Sequence, residues 1–183
     1  EEALADVMRA RSLEPASLVI NTAITQVLYD MRRYDDAEKS GRGVQQLDSA
    51  FQLGIVDLAK VLIEKGMAAE AVAMVQPILD LPGISHLEKV GVVAYALARA
   101  GRVDEAKALL SRPQSQPREG QSRRGMVAAA LDAVGEREKA IEVLRAAIDD
   151  HDLWLAHYLS AAPYDELRKD RRVRELFSRV SSR

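Results

Sequence analysis

Arg99-Ala100-Gly101-Arg102-Val103-Asp104-Glu105-Ala106 is the stretch that decides the fold. Its glycine suits the left-handed backbone that ends one helix, and its acids suit the positive end of the next. The same arrangement returns on either side, at Glu64-Lys65-Gly66 through Ala71 and at Ala133-Val134-Gly135 through Ala140. An earlier copy, Arg32-Arg33-Tyr34-Asp35-Asp36-Ala37, has arginine where the others have glycine. Working outward, Ala3, Ala37, Ala71, Ala106 and Ala140 are separated by 34, 34, 35 and 34 residues. A period of this length, with a turn at its middle, describes stacked helix-turn-helix units that bury their apolar faces only against one another.

Upstream of each turn, apolar residues spaced by four mark one helix face: Ile24 and Leu28, Leu58 and Leu62, Val93 and Leu97, Val127 and Leu131. A small residue follows the first member of each pair (Thr25, Ala59, Ala94 and Ala128), so two helices can cross closely there. Downstream, Leu47, Val75 with Ile78, Leu109 with Leu110, and Leu144 with Ile148 are expected to face the core. Gly41 and Gly43 fall inside the second helix of their unit and are expected to weaken it by about 1 kcal/mol each. The fold class that follows is all-α.

The small residue at the eighth place, glycine at the fifteenth, the acid-alanine pair at nineteen and twenty, and Pro15 after Leu13-Glu14 resemble the tetratricopeptide repeat family. The resemblance implies an α-α superhelix of about four helix pairs. Its units are a half repeat at 1–15, full units at 18–51, 52–85, 87–120 and 121–150, and capping helices at 151–183. The chain departs from the pattern at the fourth place, where Asn21, Ile55, Val90 and Arg124 stand instead of tryptophan. Because Glu1-Glu2-Ala3 falls in the middle of a unit, the chain is expected to be a piece of a larger protein. Ala162-Pro163-Tyr164-Asp165-Glu166-Leu167-Arg168-Lys169-Asp170 is similar to the tails of bacterial tetratricopeptide arrays attached to winged-helix regulators, serine/threonine kinases and nucleotide cyclases. With Trp154, Leu155, Tyr158 and Phe177 it is expected to cap the open end of the stack.

Composition narrows the function classes. With 26 Lys and Arg against 28 Asp and Glu, global charge recommends neither nucleic acid nor a membrane surface. The absence of cysteine removes disulfides and thiolate metal sites and fits a reducing compartment, so a cytoplasmic location is expected. No apolar run approaches the roughly 20 residues of a membrane span. His151 and His157, six apart beside Asp149, Asp150 and Asp152, lack metal-ligand spacing. Gly41-Arg42-Gly43 and Gly120 lack the strand-turn-helix setting of a phosphate loop. Catalytic, metal and cofactor sites are therefore expected to be absent. Ser85 and Glu88 have the spacing of a reciprocal helix cap around His86. Two local basic stretches, 112–124 and 165–183, are too poor in aromatics to favour nucleic-acid binding.

The resemblance implies that the first helix of each unit lines a concave groove. Carried onto this sequence, the groove includes Gln26, Tyr29, Lys60, Glu64, Tyr95 and Arg99. Aromatic and arginine side chains dominate binding hot spots, so these six form the candidate partner-binding set. They point to a non-catalytic interaction or regulatory module of a bacterial signalling or transcription-regulatory protein, holding a peptide or helix. Packing between repeats is the alternative role for Tyr29 and Tyr95. Homo-oligomerisation through an apolar flank at Leu4 and Val7, or a sensor role in a kinase or cyclase, are the alternative functions.

Overall fold

The computed structural model describes residues 1–112, 124–150, 158 and 160–181. Among them the chain is helical, with ten α-helices and no strand. They are α1 (Glu2–Leu13), α2 (Leu18–Asp30), α3 (Tyr34–Leu47), α4 (Gln52–Glu64), α5 (Ala68–Val75), α6 (His86–Arg99), α7 (Val103–Leu110), α8 (Gly125–Ala133), α9 (Arg137–Asp149) and α10 (Arg171–Ser181). Each first helix packs on the second helix that follows its turn, giving the pairs α2/α3, α4/α5, α6/α7 and α8/α9. The first helices also touch in series, α2 on α4, α4 on α6 and α6 on α8.

The four turns are built alike. Gly66, Gly101 and Gly135 have φ of 80°, 78° and 85°, and Arg32 occupies the same place at 58°. Behind each, the next backbone N–H reaches over to the carbonyl five residues earlier: Arg33 to Leu28, Met67 to Leu62, Arg102 to Leu97 and Glu136 to Leu131. Those bonds satisfy carbonyls that a helix end would otherwise leave open. Glycine adopts this conformation freely, whereas Arg32 carries a Cβ into it at a cost of about 1–2 kcal/mol. Acids in the first turn of the following helices (Asp35 and Asp36, Glu70, Asp104 and Glu105, Glu138) face the positive end of the helix dipole.

The recurrent small residues sit at the crossings. Ala37, Ala71, Ala106 and Ala140 are all completely buried, as are Ala59, Ala94 and Ala128, with Thr25 nearly so. Ala3, on α1, is exposed. Leu58 and Leu62 are fully buried in the middle of the stack, whereas Val127 and Leu131 on α8 are half-buried. Leu47 departs from expectation: it ends α3 half-exposed, and Val44, one turn earlier, fills the core in its place. Ile78 lies outside α5, since Pro77 lacks an amide hydrogen and turns the chain into a short 3-10 segment over Gln76–Ile78. Leu4 and Val7, expected as an exposed flank, are half-buried against the core; Met8 and Leu13 are the exposed apolar side chains of α1.

The carboxyl-terminal residues close the α8/α9 end. Tyr164, Leu167 and Val173 are fully buried, and the Tyr164 ring stands 5.8 Å from those of Tyr158 and Phe177. The Tyr164 hydroxyl donates to the Gly125 carbonyl at 2.6 Å. Trp154 and Leu155 lie outside the described residues, as do His151, His157, Gly120 and most of the basic stretch at 112–124.

Two glycines in helices illustrate opposite constraints. A Cβ at Gly91 would lie 2.5 Å from the backbone of Met126 and Val127, so α6 and α8 approach as closely as they do only because residue 91 has no side chain. Gly43 faces open space. Gly43→Ala is therefore expected to raise stability by about 1 kcal/mol, and Gly91→Ala to lower it by about 1–3 kcal/mol, both read from urea unfolding midpoints.

Candidate functional site

The first helices α2, α4 and α6 present their polar residues to a common inner face, and two ionic clusters form there. In the first, Lys60 on α4 donates to Glu88 Oε1 on α6 at 2.6 Å and to Asp57 Oδ1 at 3.1 Å. All three side chains are buried, with exposures of 6% for Lys60, 7% for Asp57 and 2% for Glu88. Tyr158 completes the cluster, its hydroxyl 3.5 Å from Glu88 Oε1 and its ring centroid 5.9 Å from the Lys60 ammonium. Burial acts to lower the Lys60 pKa, but Glu88, Tyr158 and Asp57 outweigh it and hold the ammonium well above its ordinary value.

This cluster overrides a local signal. Ser85 precedes α6, but its side chain makes no capping hydrogen bond, and Glu88 turns inward to Lys60 instead of back to the helix start. A helix cap contributes about 1 kcal/mol, whereas stripping a buried ammonium of its carboxylate costs several. His86 opens α6 with Nδ1 3.1 Å from the Leu79 carbonyl.

The second cluster lies one turn further along. Tyr95 donates to Glu64 Oε1 at 3.3 Å, Arg99 donates to the Tyr95 hydroxyl at 2.7 Å, and Arg99 stands 3.6 Å from the other Glu64 oxygen. Burial and then the Glu64 charge raise the Tyr29 and Tyr95 phenols. Burial likewise raises the Glu64 carboxyl against the opposing pull of Arg99. Beside it, Tyr29 packs on Tyr34 with ring centroids 5.9 Å apart.

The six candidate residues thus divide by environment. Tyr29, Lys60 and Tyr95 are buried, Gln26 and Glu64 are partly covered, and Arg99 is exposed. Glu64, Tyr95 and Arg99 are brought into one hydrogen-bonded chain, while Lys60 belongs to the neighbouring cluster. Gln26 donates to Asp30 along α2. Between α2 and α4 a cavity of about 310 Å³ opens, walled by Val19, Ala23, Val27 and Leu53, with Lys60 and Tyr158 at its far side. The Thr22 hydroxyl beside it is buried and has no hydrogen-bond partner among the described residues.

Two contributors, read from the sequence only as parts of the cap, also reach this face. Tyr158 covers Lys60 and Glu88, and Asp165 binds Arg32 in the α2/α3 turn through two bonds of 2.9 and 2.7 Å. Elsewhere the basic side chains described in the 165–181 stretch are occupied within the protein. Arg172 binds Glu138 and Asp170, Arg179 stands near Asp149, and Arg174 donates to the carbonyls of Arg168 and Lys169. No group of His, Asp and Glu arranged to hold a metal occurs among the described residues, nor any helix long and apolar enough to cross a membrane. No protein-family model, curated protein or solved structure matches the chain.

The raised Glu64 carboxyl has a signed consequence. A group with a folded pKa above its unfolded value contributes stability below the unfolded pKa and loses it as pH rises through the folded one. Glu64→Gln is therefore expected to gain stability relative to the parent chain as pH rises from 4 to 7, measured as the difference between their chemical unfolding free energies. Lys60→Met removes the cation from between two buried carboxylates and is expected to cost about 3–5 kcal/mol in the same assay.

Proposed function

We propose that the chain is a non-catalytic interaction module of the tetratricopeptide type, serving a bacterial signalling or transcription-regulatory protein of the cytoplasm. The observation that carries this reading is the fourfold recurrence of one turn geometry with a fully buried alanine five residues after it. Stacked hairpins of this kind offer an extended inner face rather than a single reactive pocket. The chemistry of that face supports binding over catalysis. Lys60 is paired with both Asp57 and Glu88 in a buried cluster, and Glu64, Tyr95 and Arg99 are hydrogen-bonded to one another at its edge.

The partner is read as a peptide or helix that meets the edge of the inner face at Arg99 and Gln26, where side chains reach solvent, with an apolar group seated between Val19 and Leu53. Removing two such anchors weakens a typical complex by more than 1 kcal/mol. Immobilised protein carrying Gln26→Ala and Arg99→Ala is expected to recover its bacterial partner about tenfold less well than the parent chain. Matched thermal melting curves establish that both are folded. Undiminished recovery would move the contact to another surface.

A further inference from the structure

Arg32 occupies a backbone position that its three counterparts give to glycine, and it does so at φ 58°. A non-glycine residue in the left-handed region costs free energy and persists where the surrounding structure holds it there. Here the side chain reaches the carboxyl-terminal segment. Its guanidinium grips both carboxylate oxygens of Asp165 at 2.9 and 2.7 Å, and also donates to the Ser160 carbonyl at 3.3 Å. The two partners are 133 residues apart in the chain. Asp165 is steadied from its own side by Arg168, which also donates to the Ala161 carbonyl at 3.1 Å.

We infer that residues 160–165 form a strap that closes the inner face, and that Arg32 is its latch. Within the strap Tyr164 packs on Tyr158, which covers the Lys60–Glu88 pair and forms one wall of the cavity between α2 and α4, and Asp165 fastens it to the α2/α3 turn. Asp165 lies close enough to Glu64 and Tyr34 to act on their charge, so the fastening stands at the border of the second ionic cluster. The latch itself is half-exposed, 47% at Arg32 and 43% at Asp165. An ion pair in that setting is screened by salt, unlike the buried pair between Lys60 and Glu88. The chain therefore combines a fixed inner cluster with an outer fastening that yields to ionic strength or to a competing anion. Admission of a partner once the strap lifts rests on the interaction reading given above; the latch does not.

Hydrogen exchange of the full chain followed by mass spectrometry tests it. Glycine suits the turn, so Arg32→Gly keeps the fold while removing the guanidinium. Amides of 160–168 are expected to exchange about tenfold faster in that variant, with α4 and α6 unchanged. Asp165→Asn is expected to reproduce the effect, and the double variant to add nothing more. In 1 M sodium chloride the parent chain should move toward the variants, which should themselves be insensitive to salt. Unaltered exchange over 160–168 in Arg32→Gly, or equal acceleration through every helix, would overturn the latch. Neither result touches partner recovery, so failure here is separable from failure of the interaction reading.

Discussion

The structure depends on how closely its helices cross. Ala37, Ala71, Ala106 and Ala140 have no exposed surface, and Ala59, Ala94 and Ala128 answer them from the first helices. Each is small enough to let the backbones approach, so the larger side chains around it, such as Leu58, Leu62 and Val93, meet neighbours on all sides. Gly91 carries the same requirement to its limit, since α6 and α8 leave no space for even a methyl group. The turns follow from this geometry. Two helices that cross so tightly must reverse within a few residues, and the left-handed conformation at Gly66, Gly101 and Gly135 supplies the reversal while satisfying the open carbonyls.

Within that frame the inner face holds an unusual amount of buried charge. Desolvating Lys60, Asp57 and Glu88 opposes folding, and their mutual attraction offsets the cost only when the geometry is good. Such a cluster contributes less to net stability than apolar side chains of similar volume would. What it does impose is alignment: α4 and α6 must be in the correct register for Lys60 to reach Glu88 at 2.6 Å. The Glu64–Tyr95–Arg99 chain repeats the requirement at the next turn. Apolar surfaces tolerate sliding, whereas paired charges do not.

Much of the fold is legible in the sequence because it is written by local, periodic rules. The helix pairs, the glycine turns and the buried alanines all follow from residues at fixed spacing, and each unit confirms the next. Legibility ends where a contact is singular. The bond from Arg32 to Asp165 spans 133 positions and repeats nowhere, so no spacing announces it, although arginine in a glycine's place marks the spot. Glu88 shows a second kind of failure, in which a valid local rule loses to a stronger distant partner. Its position fits a helix cap, but Lys60 lies across the inner face. The candidate residues come from the resemblance, which places first-helix positions on one face but says nothing of how deeply each is buried. Lys60 is covered by Tyr158, which lies beyond the repeating part of the chain.

A row of helices that touch only their neighbours unravels from whichever terminus is weaker, one unit at a time. The clasp between positions 32 and 165 changes that mechanics. Fraying at the carboxyl end strips a contact from the α2/α3 turn, so loss of the last elements is felt in the first helix pair. The same tie raises the mean sequence separation of the chain's contacts, a property that slows folding even as it joins distant parts into one cooperative unit. A single arginine in an awkward backbone conformation thus couples the melting of the first helix pair to that of the last elements.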